Sequence, residues 1–432
     1  MSEQGYQPLT LRNAVAGHLG GGTPSRQVPS YWRGQIPWAS VKDFPEQSRI
    51  IEDTEEHIST SGLNASASNL IPAGTPLVCT RMAVGRATMS SVPMAINQDV
   101  KALFPAPGVS SAYLLKLLQF IQPKAEAQAV GSTVKGIRTQ DYLDIEAPIA
   151  DTDAQPVIAL VLNTLDTAIH ETQAIIAKLK AVKLGLLHDL LTRGIDANGE
   201  LRPPQSEAPD LYKKTDQGWI PLSWDVRPLS EYTSSEITYG IVQAGPHIPN
   251  GVPYIRTGDM SGDSLVREAM LCTSRRIAGS YTRSEVRTGD IVMAIRATVG
   301  KVLSVPSTLE GANLTQGTAK ISPNASTDES FLLWAIRHSR SQRAIQLEVK
   351  GTTFAEITLG ALRQVPIAAP VKINEQREIG KRLAAIDMQL QSEQQYLAKA
   401  RAKKSGLMDD LLTGRVRVTP LLAEIAQQKG SA

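Results

Sequence analysis

Cysteine is almost missing from this chain of 432 residues, which holds only Cys79 and Cys272. So few thiols exclude a disulfide framework, and two inert buried thiols are expected. No apolar run approaches the roughly 18 residues that span a bilayer. The opening MSEQGYQPLT lacks a basic-then-apolar leader, so a cytoplasmic location is expected. The six histidines show no metal-ligand spacing. There is no GxxxxGKS/T phosphate loop, no HExxH, no CxxC pair and no Ser/His/Asp set repeated along the chain. The only Pro-Pro, at 203–204, is followed by Gln rather than an aromatic residue. No catalytic centre, metal site or cofactor site is therefore expected in this chain. A net charge of +3 permits nucleic-acid binding without demanding it, so any basic surface must be local.

What the chain does contain, it contains twice. GLLHDLLTRG at 185–194 returns as GLMDDLLTGR at 406–415, an offset of about 221 positions that marks an internal duplication. IPWASVKDF (36–44) is echoed by VPYIRTGDM (252–260), and LVCTRMAVGR (77–86) by VMAIRATVGK (292–301). INQDVKAL (96–103) is echoed by LTQGTAKI (314–321), and AVGST (129–133) by VKGTT (349–353). The offset drifts by only a few residues, so both halves should share one fold with small loop insertions. Two similar halves suit a target with two similar halves.

Each half closes on a long helix. Ile158, Leu162, Leu165, Ile169, Thr172, Ile176, Leu179, Lys183, Leu186 and Leu190 keep an unbroken 4-3 spacing through about five heptads. Ile379, Leu383, Ile386, Leu390, Glu393, Leu397, Ala400, Lys404, Leu407 and Leu411 repeat it. Each helix should be roughly 55 Å long, with Pro156 in the first turn of one and Gly194 at its end. The two should pack antiparallel, because the chain must return across one helix to place a second, twofold-related domain. Setting Lys183 opposite Glu393 and Thr172 opposite Lys404 would spare the polar seam residues a mismatch against leucine.

Between the helices, residues 20–150 and 235–370 are rich in Gly, Pro, Ser, Thr and β-branched residues. Short strand-like runs such as TPLVCT and GDIVMAI imply compact α/β domains. Each contains one helical segment, AYLLKLLQFI (112–121) or FLLWAIRHSR (331–340). The stretch 195–210 reads as an exposed linker. The expected organisation is a first globular domain over 1–153, a long helix over 154–194 and a linker over 195–215. A second globular domain over 216–371, a long helix over 372–416 and a polar tail over 417–432 follow.

Two variable globular domains alternating with two mutually similar helices resemble the specificity subunit of a Type I restriction–modification system. The features that carry this are the helices ending in L/M-x-D-L-L-T, the GDIVMAIRATVGK segment and the Gly-Ser/Thr-Thr turns before each helix. The resemblance covers essentially the whole chain. It implies an α/β fold with two target recognition domains, each reading half of a split DNA sequence. The helices would form a pseudo-twofold antiparallel coiled-coil spacer that docks two adenine methyltransferase subunits, with motor–nuclease subunits in the same assembly. S-adenosylmethionine is then expected on the methyltransferase partners, and this chain is expected to be no enzyme itself. The other reading is a duplicated coiled-coil adaptor whose globular domains bind protein.

A DNA reader needs cations for phosphates and a few side chains for base edges. Arg81 and Arg296 follow strand-like runs, a placement suited either to DNA contact or to an internal ion pair. Arg86 and Lys301 follow the repeated glycines. Gln98 and Gln316 repeat in position, and an amide can bond adenine bidentately or brace a loop. Ser132, Thr133, Thr352 and Thr353 follow Gly131 and Gly351 and could offer hydroxyls to phosphate. Lys135, Arg138, Arg275, Arg276 and Lys350 are basic loop candidates. Trp38 and Tyr254 read as core residues.

Overall fold

The computed structural model describes residues 6–45, 50–351 and 355–418. The chain forms two compact units, one of Met1–Ala174 with Gln395–Ala432 and the other of Ile175–Gln394. Both long helices pass from one unit into the other. The first runs Ala154–Thr192 and the second Ile373–Leu412, close to the expected limits. Gly194, with φ of +62°, turns the chain left-handed just beyond the first helix, the usual glycine stop.

In the first unit, the beginning of one long helix meets the end of the other. Val157, Ile158, Ala159 and Leu162 share a buried cluster with Leu411 and Leu412, with Leu407 and Met408 packed against it. In the second unit the ends are exchanged: Leu190 and Leu191 share a core with Ile379 and Leu383. Start against end in one unit and end against start in the other makes the pair antiparallel.

The register differs from the one expected. Lys183 pairs with Asp387, not Glu393, and Lys404 pairs with Asp166 at 2.5 Å, not with Thr172. Thr172 turns its hydroxyl back to the Ala168 carbonyl, at 2.7 Å, and so needs no partner across the seam. The lysines reach sideways to aspartates that flank the seam, since a carboxylate compensates a half-buried ammonium better than a hydroxyl can. The symmetry survives: each member of one pair lies about 221 positions from its counterpart in the other.

The globular part of each unit repeats one plan. In the first, a five-stranded sheet runs in the order Val15–Gly20, Val100–Pro105, Pro76–Cys79, Ala87–Ser90, Ile50–Ile51. In the second, the matching sheet runs Thr238–Tyr239, Thr318–Ile321, Ile291–Ala294, Val302–Ser304. A smaller sheet in each holds one parallel pairing, Trp38 beside Ala95 in one and Tyr254 beside Asn313 in the other. Trp38 and Tyr254 are buried there, as expected. Gly21 and Gly240 have no room for a side chain: a Cβ would lie 1.7 Å from the Ile96 carbonyl oxygen and 2.0 Å from that of Leu314.

A buried glutamine in the first turn of each long helix ties it to its own unit. Gln155 donates to the Ala150 carbonyl (3.0 Å) and accepts from the Ser110 amide (3.1 Å). Gln376 does the same with Pro370 (2.8 Å) and Asp328 (3.0 Å). Those amides start the helices Ser111–Gln128 and Glu329–Arg337.

Three sequence expectations change. Cys272 is only half-buried, unlike Cys79, and both are free thiols. The stretch at 195–215 is not an exposed linker, because Ile195 is buried, Arg202 bonds Glu375 at 2.6 Å and Tyr212–Thr215 is a strand. The single helix expected over 331–340 is two, broken at His338.

His338 caps the second of these, its Nδ1 accepting from the Arg340 amide at 3.4 Å. It is 5% exposed, and burial, with Arg340 and His188 nearby, pulls its pKa down to about 4. The folded imidazole therefore stays neutral while the unfolded one takes up a proton below about pH 6.5. Stability from this residue is present above pH 6.5 and is lost as pH falls towards 4. Acidification from pH 7 to pH 5 should cost about 2 kcal/mol. Urea denaturation followed by tryptophan emission should show that slope, and His338→Asn, which keeps a capping acceptor, should flatten it. An unchanged slope in the variant would assign the acid sensitivity elsewhere.

Candidate nucleic-acid interface

Beyond the strands Pro76–Cys79 and Ile291–Ala294, both units build the same loop cluster. Arg81 and Arg296 stand at the turn, each followed by a non-glycine residue in the left-handed region, Met82 at φ +65° and Ala297 at φ +61°. Such backbones cost of order 1–3 kcal/mol and persist only when neighbours hold them. Here a second loop does so: the Met82 amide donates to the Lys135 carbonyl and the Ala297 amide to the Ala355 carbonyl, both at 2.9 Å. One residue pair further, Ile137 donates to Thr80 and Ile357 to Ile295. Gly85 and Gly300, with φ of +79° and +95°, complete the turns.

The scaffold is conserved between the halves, and the charges on it are not. Arg81 faces Asp99 at 3.4 Å, where the second half has Gly317. Arg296 faces Glu356 at 3.1 Å, where the first half has Gly136. Both arginines stay substantially exposed while held by an internal carboxylate. Among the described residues, the buried Nε of Arg296 has no hydrogen-bond partner.

The remaining candidates fall into three groups. Gln316 joins Arg296 in a depression of about 450 Å³ together with Tyr254, Arg256 and Thr315. Gln98, its counterpart, is exposed and accepts from the Thr23 hydroxyl at 2.6 Å. Ser132, Thr133, Lys135, Arg138 and Lys350 are exposed on the second loop or beside it. Thr352 and Thr353 lie outside the described residues. Arg275 and Arg276 open a short exposed helix, Arg275–Gly279, and do not line the depression. Arg86 and Lys301 depart from the cluster. Arg86 reaches the Phe44 carbonyl (3.5 Å) and lines a cavity of about 480 Å³ with Asp166, His170, Arg401 and Lys404. Lys301 faces Asp263 at 3.5 Å.

Two arginines escaped the sequence reading. Arg26 lies over the Trp32 ring at 3.6 Å and forks onto Glu56, whose carboxyl it holds below the usual carboxylate range. Arg256 is fixed by Asp259. A sequence signal existed for the second: Asp259 repeats Asp43 three residues beyond Ser40, the counterpart of Arg256.

Among the described residues no group of His, Cys, Asp and Glu could hold a metal ion, and no helix is long and apolar enough to cross a membrane.

The Type I restriction modification DNA specificity domain family matches this chain twice, over residues 15–181 and 224–401. The MjaIX Type I restriction enzyme specificity subunit of Methanocaldococcus jannaschii is 25% identical over 241 residues, 55% of this chain and 54% of that protein. The chain thus spans about half the length of that relative. The MjaVIII specificity subunit of the same organism is 23% identical over 320 residues, covering 72% of this chain and 71% of its own. The crystal structure of a Type I restriction–modification S subunit from M. genitalium shares the fold with a TM-score of 0.63 at 14% identity. The superposition covers 95% of this chain and 97% of that one. Since the family match covers both halves and most of the length, the chain belongs to the Type I restriction modification DNA specificity domain family.

Proposed function

We propose that this chain is the non-catalytic specificity subunit of a Type I restriction–modification complex. Each globular part reads one half of a split duplex target. The long helices serve as the spacer, and they dock two adenine methyltransferase subunits, on which S-adenosylmethionine binds. Motor–nuclease subunits join the same assembly. We assign the globular parts to 1–153 and 216–371 and the long helices to 154–194 and 372–416, with 195–215 joined to the second part rather than to a linker.

One observation carries the reading: the two units hold the same strained arginine turn on the same supporting loop, with different carboxylates around it. A constant frame with changed polar groups is what two readers of different sequences require, because phosphate contacts position a reader while base contacts specify. B-DNA repeats every 34–36 Å, and two-domain readers place half-sites about a turn apart. Two continuous helices of roughly 55 Å can fix such a gap, as a flexible connector cannot.

Arg81→Ala and Arg296→Ala test the division of labour. Each should damage recognition of one half-site and leave the other intact. The cost should be about 1–3 kcal/mol if the arginine bonds a base, with discrimination relaxed at that position. If it bonds phosphate, binding should weaken evenly across sequences and the salt slope should fall by about one. Titration of the full-length chain with duplexes of altered half-sites, at several salt concentrations, distinguishes these. Absence of any salt-dependent, sequence-selective binding would point instead to the protein-binding adaptor.

A further inference from the structure

The turns at Ser40 and Arg256 are the same turn carrying different side chains. In the first half the Ser40 amide donates to Asp43 Oδ2 at 2.8 Å, and in the second the Arg256 amide donates to Asp259 Oδ2 at 2.8 Å. Each turn follows the strand that makes the parallel pairing, Ile36–Ala39 or Val252–Ile255. The Ser40 hydroxyl stays on its own aspartate, at 2.9 Å. Arg256 also stays on its own aspartate, but it is much longer and lines the depression that also holds Arg296 and Gln316.

The guanidinium of Arg256 is aimed before any ligand arrives. Its Nε donates to Asp259 Oδ2 (3.1 Å) and its Nη2 to Asp259 Oδ1 (2.7 Å). Asp259 is 6% exposed whereas Arg256 is 41% exposed, so the anchor is buried and the head is accessible. This hold uses the Nε side of the group. Among the described residues the outer fork, Nη1 with the second proton of Nη2, has no acceptor, and that fork matches the O6 and N7 acceptors of guanine in the major groove. Fixing the plane beforehand also spares the rotamer entropy that a free arginine would lose on binding.

We propose that position 256 determines base specificity and that Arg256 selects a guanine in the half-site read by the second unit, with Gln316 and Arg296 facing neighbouring positions. The first unit, with Ser40 at the matching place, makes no such contact. This inference rests on the DNA-reading function proposed above.

The test is selection from a pool of randomised double-stranded DNA by the full-length chain and by Arg256→Ser and Arg256→Lys. Wild type should enrich a split sequence with a guanine fixed in one half. Arg256→Ser should lose the preference for that guanine roughly ten- to hundredfold while keeping the other half-site. Arg256→Lys preserves the charge but not the fork, and should lose it too while the salt dependence of binding stays unchanged. If Arg256→Lys returns the wild-type sequence in full, Arg256 contacts phosphate and the inference is overturned. The same holds if both variants keep the guanine. If wild type itself enriches no sequence, the DNA-reading function fails, and this inference with it. Retention of the remaining positions of the second half-site by the variants doubles as the folding control for the unit that carries Arg256.

Discussion

Glu375→Ala should cost the second unit about 3–5 kcal/mol, the scale for breaking a buried ion pair from one side. The carboxylate sits in the first turn of the second long helix, where the helix dipole favours an anion. Its Oε1 accepts from Arg202 Nη1 (2.6 Å), from the Trp224 indole N–H (2.9 Å) and from the Ile195 amide (3.2 Å), while Oε2 accepts from Arg202 Nη2 (3.1 Å). Trp224 is fully buried, so alanine would strand its indole N–H and remove the carboxylate from Arg202, leaving it only the Arg193 carbonyl and the Ser223 hydroxyl. Glu375→Gln keeps one acceptor oxygen and should lose distinctly less. Equilibrium denaturation followed by tryptophan emission reads both variants. A loss under about 1 kcal/mol for alanine would show that the 195–202 stretch is held by other contacts.

Asp166→Asn should destabilise the first unit by a similar 3–5 kcal/mol. Asp166 accepts from Lys116 at 2.5 Å and from Lys404 at 2.5 Å. Lys116 is only 2% exposed, and burial pulls its pKa down while Asp166 pushes it back up. Without the carboxylate, two ammonium groups face each other and one of them is out of water. Lys116→Met should be far milder, because Asp166 keeps Lys404. The sign with pH follows. A lysine whose folded pKa lies below its unfolded value destabilises while it stays charged, so the loss in Asp166→Asn should ease at alkaline pH as Lys116 sheds its proton. Equal losses for the two variants would mean that the aspartate contributes packing rather than charge.

The second unit solves the same problem differently. Trp334 occupies the place of Lys116, and the Lys183 ammonium and Arg337 guanidinium stack against its ring at 4.9 and 4.7 Å, near Asp387. Two halves of common origin thus hold one aspartate each, compensated by a buried cation in one case and by cations on an indole face in the other.

The long helices were legible because a 4-3 seam is written locally and twice, and Pro156 and Gly194 mark the first of them. Register was not legible. It depends on Asp166 and Asp387, which repeat in position like the lysines but lie off the seam, so nothing marks them as its partners. Gln155 and Gln376 repeat in position, but a glutamine in a first turn reads as a surface residue until its two carbonyl and amide partners are known. The helix break at His338 was not legible, because no Pro or Gly marks it. The docking of 195–202 hinged on a long-range pair, Arg202 with Glu375, which composition cannot show. In the paired loop clusters, Arg81, Arg296 and Gln316 were visible by repetition. Arg256 itself was hidden by that criterion because its counterpart is Ser40, and only the repeated aspartates Asp43 and Asp259 marked the turn.

Because the first unit takes in residues after 394 while the second is drawn from an uninterrupted stretch, the order of synthesis inverts the order of completion. Ile158 and Leu162 leave the ribosome long before Leu411 and Leu412, which share their buried cluster. At roughly 5–20 residues per second, the opening domain must wait on the order of tens of seconds with an apolar helix face uncovered. The second unit has all its residues before the first does, and the first closes only when Leu411 and Leu412 reach the cluster of Ile158 and Leu162.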